Sequence, residues 1–307
     1  MLSNNLDDEL HVQAFLQGYK MALILALVAS LAVLAAPSAA ITDVNILNFA
    51  LNLECLEAEF YSYAAFGKGL NATLLGGGPG ATGGEKAQLS YSVQQYATEI
   101  AQDEINHVAF LRSALGAAAI PCPQIDIGAA FSAVINAALG TKATSYKFSP
   151  YDNDLDFLLG AFLFEDVGVT AYSGAAPFIS DKTTVLAAAA GILSVEAYHA
   201  GIIRTLLFQD GAYPVKPYKI QTVDFVQALS NLRAAVGGGK DKGITDPPAN
   251  GSLYIPYLTS KYSSNLVPTN DDSLAFARTI PEVLAIVYGG SASTPGAFFP
   301  QGINPGA

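Results

Sequence analysis

Apolar residues recur every three or four positions through four long stretches of the chain, which is the spacing of one helix face. Glycine and proline separate the stretches, as expected for residues that end helices. The four predicted helices, called blocks A to D, cover residues 43–66, 85–115, 153–176 and 182–209. Each block is long enough to be a bundle helix, so the pattern predicts an all-α protein built on a four-helix bundle.

The bundle is predicted to occupy residues 41–210 and to be followed by an extension, 211–307. A short helical stretch, "IGAAFSAVINAAL", lies between blocks B and C, and a short fifth helix, "TVDFVQALSNLRAAV", follows block D. From Gly237 onward glycine, proline, serine and tyrosine dominate, with one more helical segment at "PEVLAIVYG". This C-terminal segment has too few charged residues and too many tyrosines to be a disordered tail. We therefore expect irregular structure packed on the bundle.

Residues 1–40 are predicted to be a leader. Lys20 precedes sixteen uncharged, largely apolar residues, 21–36, and small residues follow at 38–40, as in a secretory signal. A membrane span needs about 20 apolar residues, so a cleaved signal is favoured over an uncleaved anchor, and no stable span is expected after cleavage. The acidic start is unlike a signal, which leaves Met21 as an alternative first residue. The predicted location is extracellular or in the lumen of the secretory pathway.

Composition narrows the classes of function. The net charge is −11, whereas proteins that bind nucleic acids usually carry a basic surface. The composition therefore argues against a nucleic-acid partner. Only 13% of residues are charged, so carboxylates inside apolar stretches are informative, because a buried charge must be paired or bound to metal. Two cysteines, Cys55 and Cys122, are too few for a disulfide framework. The sequence is compatible either with one bridge between them or with two free thiols. Asn71 and Asn250 begin glycosylation acceptor sequences, which fit a secreted protein.

Both histidines beyond the leader have a glutamate three positions before them. The pairs are Glu104 with His107 in block B and Glu196 with His199 in block D. Positions i and i+3 of a helix share a face, with Cβ atoms about 5–6 Å apart. Each pair therefore places a carboxylate and an imidazole where they can bind one ion together.

Blocks A and C share a second pattern, a tyrosine seven residues after a glutamate. Tyr61 follows Glu54 and Tyr172 follows Glu165 at this offset. Seven residues are about two helical turns, so each tyrosine lies on the face of its glutamate. Blocks A and B thus repeat in C and D, as expected for a duplicated helical hairpin.

Together these residues form the ligand set of a dinuclear carboxylate site. Carboxylates and imidazoles that point into a bundle core suit two divalent iron or manganese ions, and the carboxylates would otherwise repel one another. The predicted ligands are Glu54, Glu104, His107, Glu165, Glu196 and His199. Glu57, one turn after Glu54, is the alternative to Glu54 or a fifth carboxylate.

Other polar residues near the motifs have more than one interpretation. Tyr61 and Tyr172 are either core aromatics or catalytic groups that donate hydrogen bonds or are oxidised beside the metal. Glu99 and Asp103 are expected to be solvated. Asp166 is a candidate partner for an imidazole N–H.

The chain resembles the ferritin-like family of desiccation-related proteins from resurrection plants and algae. The resemblance rests on "DVNILNFALNLECLEAEFY", "GIIRTLLFQDGAYPVKPY", "SLAFARTIPEVLAIVYGG" and "PGAFFPQG". It implies a ferritin-like four-helix bundle with a C-terminal extension and an association with stress or drying. It also implies bridging roles for Glu104 and Glu196. Glu54 and Glu165 would then be terminal ligands, with each histidine completing the shell of one ion.

Two functions fit these predictions. The first is a secreted oxidoreductase whose dinuclear iron or manganese site reacts with peroxide or O₂, in the manner of a catalase, peroxidase or oxidase. The second is a non-catalytic structural or protective protein in which the metal is structural or absent. Iron storage is less favoured because it needs a closed shell of subunits. The sequence does not decide between a monomer and a homo-oligomer.

Overall fold

The structure is a computed structural model and is described here for residues 41–140, 146–246 and 263–305. The predicted leader, the alternative start at Met21 and the acceptor sequence at Asn250 lie outside these ranges. In chain order the described helices are α1 (Asp43–Phe66), α2 (Ala72–Leu75), α3 (Tyr91–Leu115), α4 (Ala129–Leu139), α5 (Asp154–Ala175), α6 (Val185–Gln209), α7 (Thr222–Val236) and α8 (Ile280–Val287).

Short elements complete the description. Single 3₁₀ turns follow α3 and α5, at Gly116–Ala118 and Ala176–Phe178. Two antiparallel strand pairs lie in the C-terminal segment, with Pro214 opposite Gln221 and Thr245 opposite Ser264. Their strands are β1 (Pro214–Val215), β2 (Ile220–Gln221), β3 (Thr245–Asp246) and β4 (Ser263–Ser264).

The bundle consists of two helical hairpins. Helix α1 packs mainly against α3, and α5 mainly against α6. Helices α1 and α5 also contact each other, whereas α3 and α6 barely touch. The edge between α3 and α6 is therefore the looser side of the bundle.

Helix α1 lies at the centre. Thr42 caps its first turn by accepting a hydrogen bond from the Asn45 N–H, and Gly67 ends it with a φ of +71°. Between residues 46 and 65 every side chain except Tyr63 is buried. A helix buried on all faces must carry its polar groups inward, and this is how α1 brings glutamates into the core.

Two helices begin later than the hydrophobic pattern predicted. Block B was expected from residue 85, but the N–H of Ala87 donates to Ala64 O and that of Gln88 to Tyr151 O. These bonds hold the segment extended between two neighbours until Tyr91. Block D begins three residues late because residues 182–184 form a separate turn, in which the N–H groups of 183 and 184 donate to the Asp181 side chain.

The C-terminal segment is held on the bundle by buried charge. Asp166 on α5 accepts from Arg204 Nη1 at 2.8 Å and from Arg233 Nη2 at 2.7 Å. Arg233 and Arg278 also share Asp241, at 2.9 and 2.8 Å. The expectation that Asp166 pairs with an imidazole is therefore wrong, since two guanidinium groups occupy its accepting oxygen.

Aromatic side chains fill the core between α1, α4, α5 and the C-terminal segment. Phe60 lies 5.3 Å from Phe131 between ring centroids, and Phe164 lies 4.8 Å from Phe298 in an edge-to-face arrangement. Near the C-terminus the Asn304 N–H donates to Asn52 Oδ1 at 2.9 Å. The segment after the bundle thus contributes to the same core.

Within the described residues one helix, α6, is long and apolar enough to cross a membrane, with a mean hydropathy of 1.5. Its charged residues, Glu196 and Arg204, are both buried in the protein. Core helices of soluble proteins meet the same criterion, so this finding is weak evidence for a span.

A disulfide joins Cys55 to Cys122, across a sequence separation of 67 residues. It connects the middle of α1 to the segment that follows α3. Of the two alternatives left open by the sequence, the structure has the bridge, and the described residues contain no free cysteine.

Breaking this bridge is expected to destabilise the protein substantially. A closed loop of this size restricts the unfolded chain, and chain-entropy arguments give about 4 kcal/mol. Cys55→Ala/Cys122→Ala should lower the free energy of unfolding in urea by that order. The reductant dithiothreitol should destabilise the parent protein and leave the double variant unchanged. Equal stability of the parent with and without reductant would contradict the prediction.

Candidate metal centre

All six predicted ligands meet in the middle of the bundle and are buried. Each of the four bundle helices contributes to the cluster. The contributions are Glu54 from α1, Glu104 and His107 from α3, Glu165 from α5, and Glu196 and His199 from α6.

One half of the cluster surrounds His107. Its Nδ1 lies 3.1 Å from Glu54 Oε2, 3.2 Å from Glu104 Oε2 and 3.8 Å from Glu196 Oε1. These four residues each offer a ligand atom within 4.8 Å of the others. Spacing of this kind can hold one metal ion.

The other half surrounds His199. Its Nδ1 lies 3.1 Å from Glu104 Oε1 and 3.5 Å from Glu165 Oε2. Glu104 therefore presents one carboxylate oxygen to each histidine. This is the arrangement that a bridging carboxylate requires, although the bridging role itself stays a prediction.

Several buried ligand atoms have no hydrogen-bond partner among the described residues. They are Glu104 Oε1, Glu165 Oε2, both oxygens of Glu196, and His199 Nδ1. The close approach of Glu104 Oε1 to His199 Nδ1 does not have hydrogen-bond geometry, so both atoms stay without a hydrogen-bond partner among the described residues. Unpartnered buried oxygens are costly, and carboxylate with imidazole is a donor set that divalent transition metals accept. The residues present therefore fit a metal centre.

Glu57 joins the cluster and does not replace Glu54. Its side chain is 4% exposed and converges with that of Glu196 beside Gly168 on α5. A Cβ at Gly168 would collide with Glu196 Oε2 and lie 3.4 Å from Glu57 Oε1. The glycine thus leaves the space that the two carboxylates occupy, and the cluster contains five.

The two tyrosines bind glutamates of the opposite hairpin. Tyr61 on α1 donates its hydroxyl hydrogen to Glu165 on α5, and Tyr172 on α5 donates to Glu54 on α1. Seven residues along one helix span about 10 Å, too far for a bond within it. Because α1 and α5 run antiparallel, the tyrosine of each lies level with the glutamate of the other.

Asp103 was expected to be solvated, but it contacts the centre. His199 Nε2 lies 3.1 Å from Asp103 Oδ2, and the aspartate side chain is 40% exposed. Binding this ring nitrogen fixes the imidazole with Nδ1 toward the cluster. No sequence pattern predicts this contact, because it joins α3 to α6. Glu99 is exposed, as expected.

Burial and mutual repulsion shape the titration of the cluster. Burial, with the charge of Glu104, raises the pKa of Glu54 to about 7. Burial and neighbouring carboxylates also raise the pKa values of Glu57 and Glu196. Glu104 differs: although burial opposes it, the two neighbouring histidines lower its pKa to about 2.

The histidines are the positive members of the cluster. Burial opposes their charge, but Glu104 and Glu54 raise the pKa of His107 to about 10. Glu165 and Glu104 similarly raise the pKa of His199 to about 12. Two imidazolium groups therefore offset part of the carboxylate charge in the metal-free chain.

Known proteins resemble this chain over most of its length. The ferritin-like domain family matches residues 42–209. The desiccation-related protein PCC13-62 of Craterostigma plantagineum is 37% identical over 267 residues, covering 85% of this chain and 82% of that protein. The ferritin-like catalase Nec2 of Nesocodon mauritianus is 33% identical over 269 residues, covering 85% and 83%. No solved structure matches the chain.

The metal-free protein is expected to lose stability as pH rises from 5 to 8. Glu54 binds its proton more tightly in the folded than in the unfolded chain, so its stabilising effect is full below about pH 4.5 and lost by about pH 7. That effect is on the order of 3 kcal/mol. The raised pKa of His107 acts in the same direction between about 6.5 and 10.

Urea unfolding of the chelator-treated protein at several pH values measures this dependence. Added Mn²⁺ should stabilise the protein more at pH 7.5 than at pH 5, because metal ligands must lose their protons. A metal-free protein that becomes more stable toward pH 8 would contradict the assignment of buried carboxyls.

Removing the Asp103 carboxylate is expected to weaken metal binding. Asp103→Asn leaves the size of the side chain unchanged but binds the His199 ring less strongly, and loss of such a contact typically costs 10–100-fold in affinity. Competition with a metal chelator measures the change. Glu99→Gln, an exposed acid on the same helix, is the matched control and should bind as the parent does. Equal affinities of both variants would show that Asp103 does not position His199.

Proposed function

Because this chain belongs to the ferritin-like desiccation-related protein family, we propose that it is a secreted catalase-like enzyme with a dinuclear iron or manganese centre. Family membership confirms the predicted all-α ferritin-like bundle. The observation that carries the proposal is the position of Glu104, with one oxygen toward each histidine, in a cluster where several carboxylate oxygens have no hydrogen-bond partner among the described residues.

The proposed ligands divide into two sets that share the glutamates of the Glu-x-x-His motifs. Glu54 and His107 would complete the set for one ion, and Glu165 and His199 that for the other. Two such ions, when bound, would supply the redox chemistry that passes two electrons from one molecule of hydrogen peroxide to a second, so that two molecules become two of water and one of O₂.

In this reaction the protein has to accept two protons and then donate two. Oxidation of one peroxide molecule releases two protons, and reduction of the second consumes two. Glu57 is suited to hold one of them at Oε1, because it is buried beside Glu196 and its pKa is raised by burial and by the charges of Glu104 and Glu54.

Tyr61 and Tyr172 are assigned a positioning role. Burial and the neighbouring glutamates raise the pKa of both phenols well above the ordinary value. Both hydroxyl hydrogens are already donated to Glu165 and Glu54. They hold these two carboxylates in orientation, which leaves proton transfer to carboxyl groups.

The edge between α3 and α6 is the proposed entrance for peroxide. Few contacts close that edge. The side chains of Asp103 and His107 are 40% and 11% exposed there, more than the other groups of the cluster. Hydrogen peroxide is small enough to enter such an opening without movement of the helices.

Secretion is supported by two features besides the leader. A disulfide such as Cys55–Cys122 persists in oxidising compartments. Asn71 is exposed at the start of α2, and its cap uses only the side-chain oxygen, so the nitrogen is available for a glycan.

A second candidate is a protective protein without turnover. The similarity to the desiccation-related protein of Craterostigma plantagineum favours it. Metal content and peroxide turnover together distinguish the two candidates.

Four preparations, the parent protein and three variants, test the proposal. The parent should contain about two iron or manganese ions per chain and release O₂ from hydrogen peroxide. Glu104→Ala/His199→Ala should lose most of the metal and reduce turnover at least about 100-fold. Glu57→Gln should keep its metal and lose turnover. Glu99→Gln should match the parent in both measurements.

The opposite outcomes separate the candidates. Metal without peroxide turnover in the parent would favour the protective protein with a structural ion. A folded parent that takes up neither metal would exclude the dinuclear centre.

A further inference from the structure

A wide cleft lies where the C-terminal end of α1 meets α2 and α3. Its volume is about 800 Å³, and none of the predicted metal ligands lines it. Its walls include Phe66 at the end of α1, Asn71 at the start of α2 and Gln102 on α3, all of them exposed. The cleft is therefore open to solvent and separate from the metal centre.

The acceptor asparagine of a glycosylation sequence lies in this cleft. Asn71, Ala72 and Thr73 form the acceptor triplet, and all three residues are exposed. Asn71 Oδ1 accepts from the Leu74 N–H at 3.1 Å, whereas Asn71 Nδ2 has no hydrogen-bond partner among the described residues. A glycan on Nδ2 would therefore preserve the cap of α2 and would begin inside the cleft.

Part of the wall is apolar and exposed. The ring of Phe66 is 39% exposed, although it ends a helix that is otherwise buried on nearly all faces. Leu74 and Ile105, both half-buried, also line the cleft. One face of a pyranose ring consists mainly of C–H groups, so it can cover an aromatic ring of this kind.

The polar part of the wall offers a donor and an acceptor. Lys68 is exposed and has no ion pair or hydrogen bond among the described residues. Gln102 Nε2 donates to Asn106 Oδ1 at 3.1 Å, which leaves Gln102 Oε1 free to accept. The N-acetyl group of a sugar has the complementary pair, a carbonyl oxygen and an N–H.

We propose that the first N-acetylglucosamine of a glycan on Asn71 occupies this cleft, packs on Phe66 and stabilises the junction of α1 with α3. Because the sugar is attached at the cleft, its effective concentration there is high, and weak contacts are enough to hold it. A group that binds the folded chain alone stabilises it. The inference rests on the proposed secretion, since such asparagines are modified in the secretory pathway.

The modification uses a donor that the secreting cell supplies, an oligosaccharide linked to a lipid pyrophosphate. The bond between Asn71 Nδ2 and C1 of the first sugar forms as the bond between C1 and the pyrophosphate oxygen breaks. The amide nitrogen loses one proton, and the lipid pyrophosphate leaves. The chain contributes only the exposed acceptor and the cleft beside it.

A freely diffusing ligand fits the cleft less well. Lys86 also lines the cleft, but its ammonium group already donates to Gln94 Oε1 at 2.9 Å. An anion would therefore meet only the exposed ammonium group of Lys68, which is strongly hydrated. A free apolar molecule would leave the polar part of the wall without a partner. The attachment point inside the cleft therefore favours the glycan.

Removing the acceptor sequence without changing Asn71 tests the inference. The parent, Thr73→Ala and Thr73→Ser are secreted by a glycosylating host from a general signal peptide placed before residue 41. Mass spectrometry should find N-acetylglucosamine on Asn71 of the parent and of Thr73→Ser only. The midpoint of thermal unfolding of Thr73→Ala should lie at least about 2 °C below that of the other two. An unmodified Asn71 in the folded parent, or equal midpoints, would overturn the proposal.

Trimming the glycan isolates the first sugar. An endoglycosidase that leaves a single N-acetylglucosamine on Asn71 should leave the midpoint of the parent unchanged. A fall of the trimmed protein to the midpoint of Thr73→Ala would show that the first sugar does not stabilise the chain.

The packing on Phe66 is tested by a double-mutant cycle. Phe66→Ala should lower the midpoint more in the glycosylated parent than in the Thr73→Ala background, because only the parent loses a contact with the sugar. Val44, 38% exposed near the other end of α1, supplies the matched control. Val44→Ala should cause the same shift in both backgrounds. Equal shifts for Phe66→Ala would overturn the assigned contact.

The proposed secretion and the proposed enzyme are tested separately. Failure of the native leader to export the chain would contradict secretion and would leave the measurements with the general signal peptide in force. Metal content and peroxide turnover should be equal in the parent and in Thr73→Ala, since no predicted metal ligand lines the cleft.

Discussion

The structure depends on five carboxylates that share one buried volume. Each would be strongly hydrated in water, and together they repel. The bundle supplies two imidazoles and two tyrosine hydroxyls to offset that repulsion, yet buried oxygens of Glu165 and Glu196 still lack partners among the described residues. Divalent cations are the chemical complement of such a site. Three of the five carboxylates lie on the central helices α1 and α5, because these helices are buried on nearly all faces.

A second buried charge network determines how the C-terminal segment is attached. Asp166 directly follows the predicted ligand Glu165, and it holds Arg204 of α6 and Arg233 of α7. Replacing one member would leave an uncompensated buried charge, which is far more costly than the loss of an exposed ion pair. The extension is thus joined to the same turn of α5 that presents a carboxylate to the metal centre.

Much of this arrangement could be predicted from the sequence, because helical periodicity and i,i+3 spacing act along one chain segment. Blocks A to D and the clustering of the six predicted ligands followed from those rules. Asp103 and Asp166 did not, since their partners lie on other helices and depend on the rotation of each helix about its axis. The pairing of Cys55 with Cys122 and the crossing of the two tyrosines likewise depend on how the hairpins pack.

The contact between Asp103 and His199 removes the symmetry of the duplicated hairpins. Asp103 directly precedes Glu104 on α3, and the corresponding position before Glu196 on α6 is Val195, which has no group to bind the ring of His107. The two halves of the centre are therefore chemically different. Two ions bound there would therefore not be equivalent, because only the imidazole of His199 has a carboxylate behind it among the described residues.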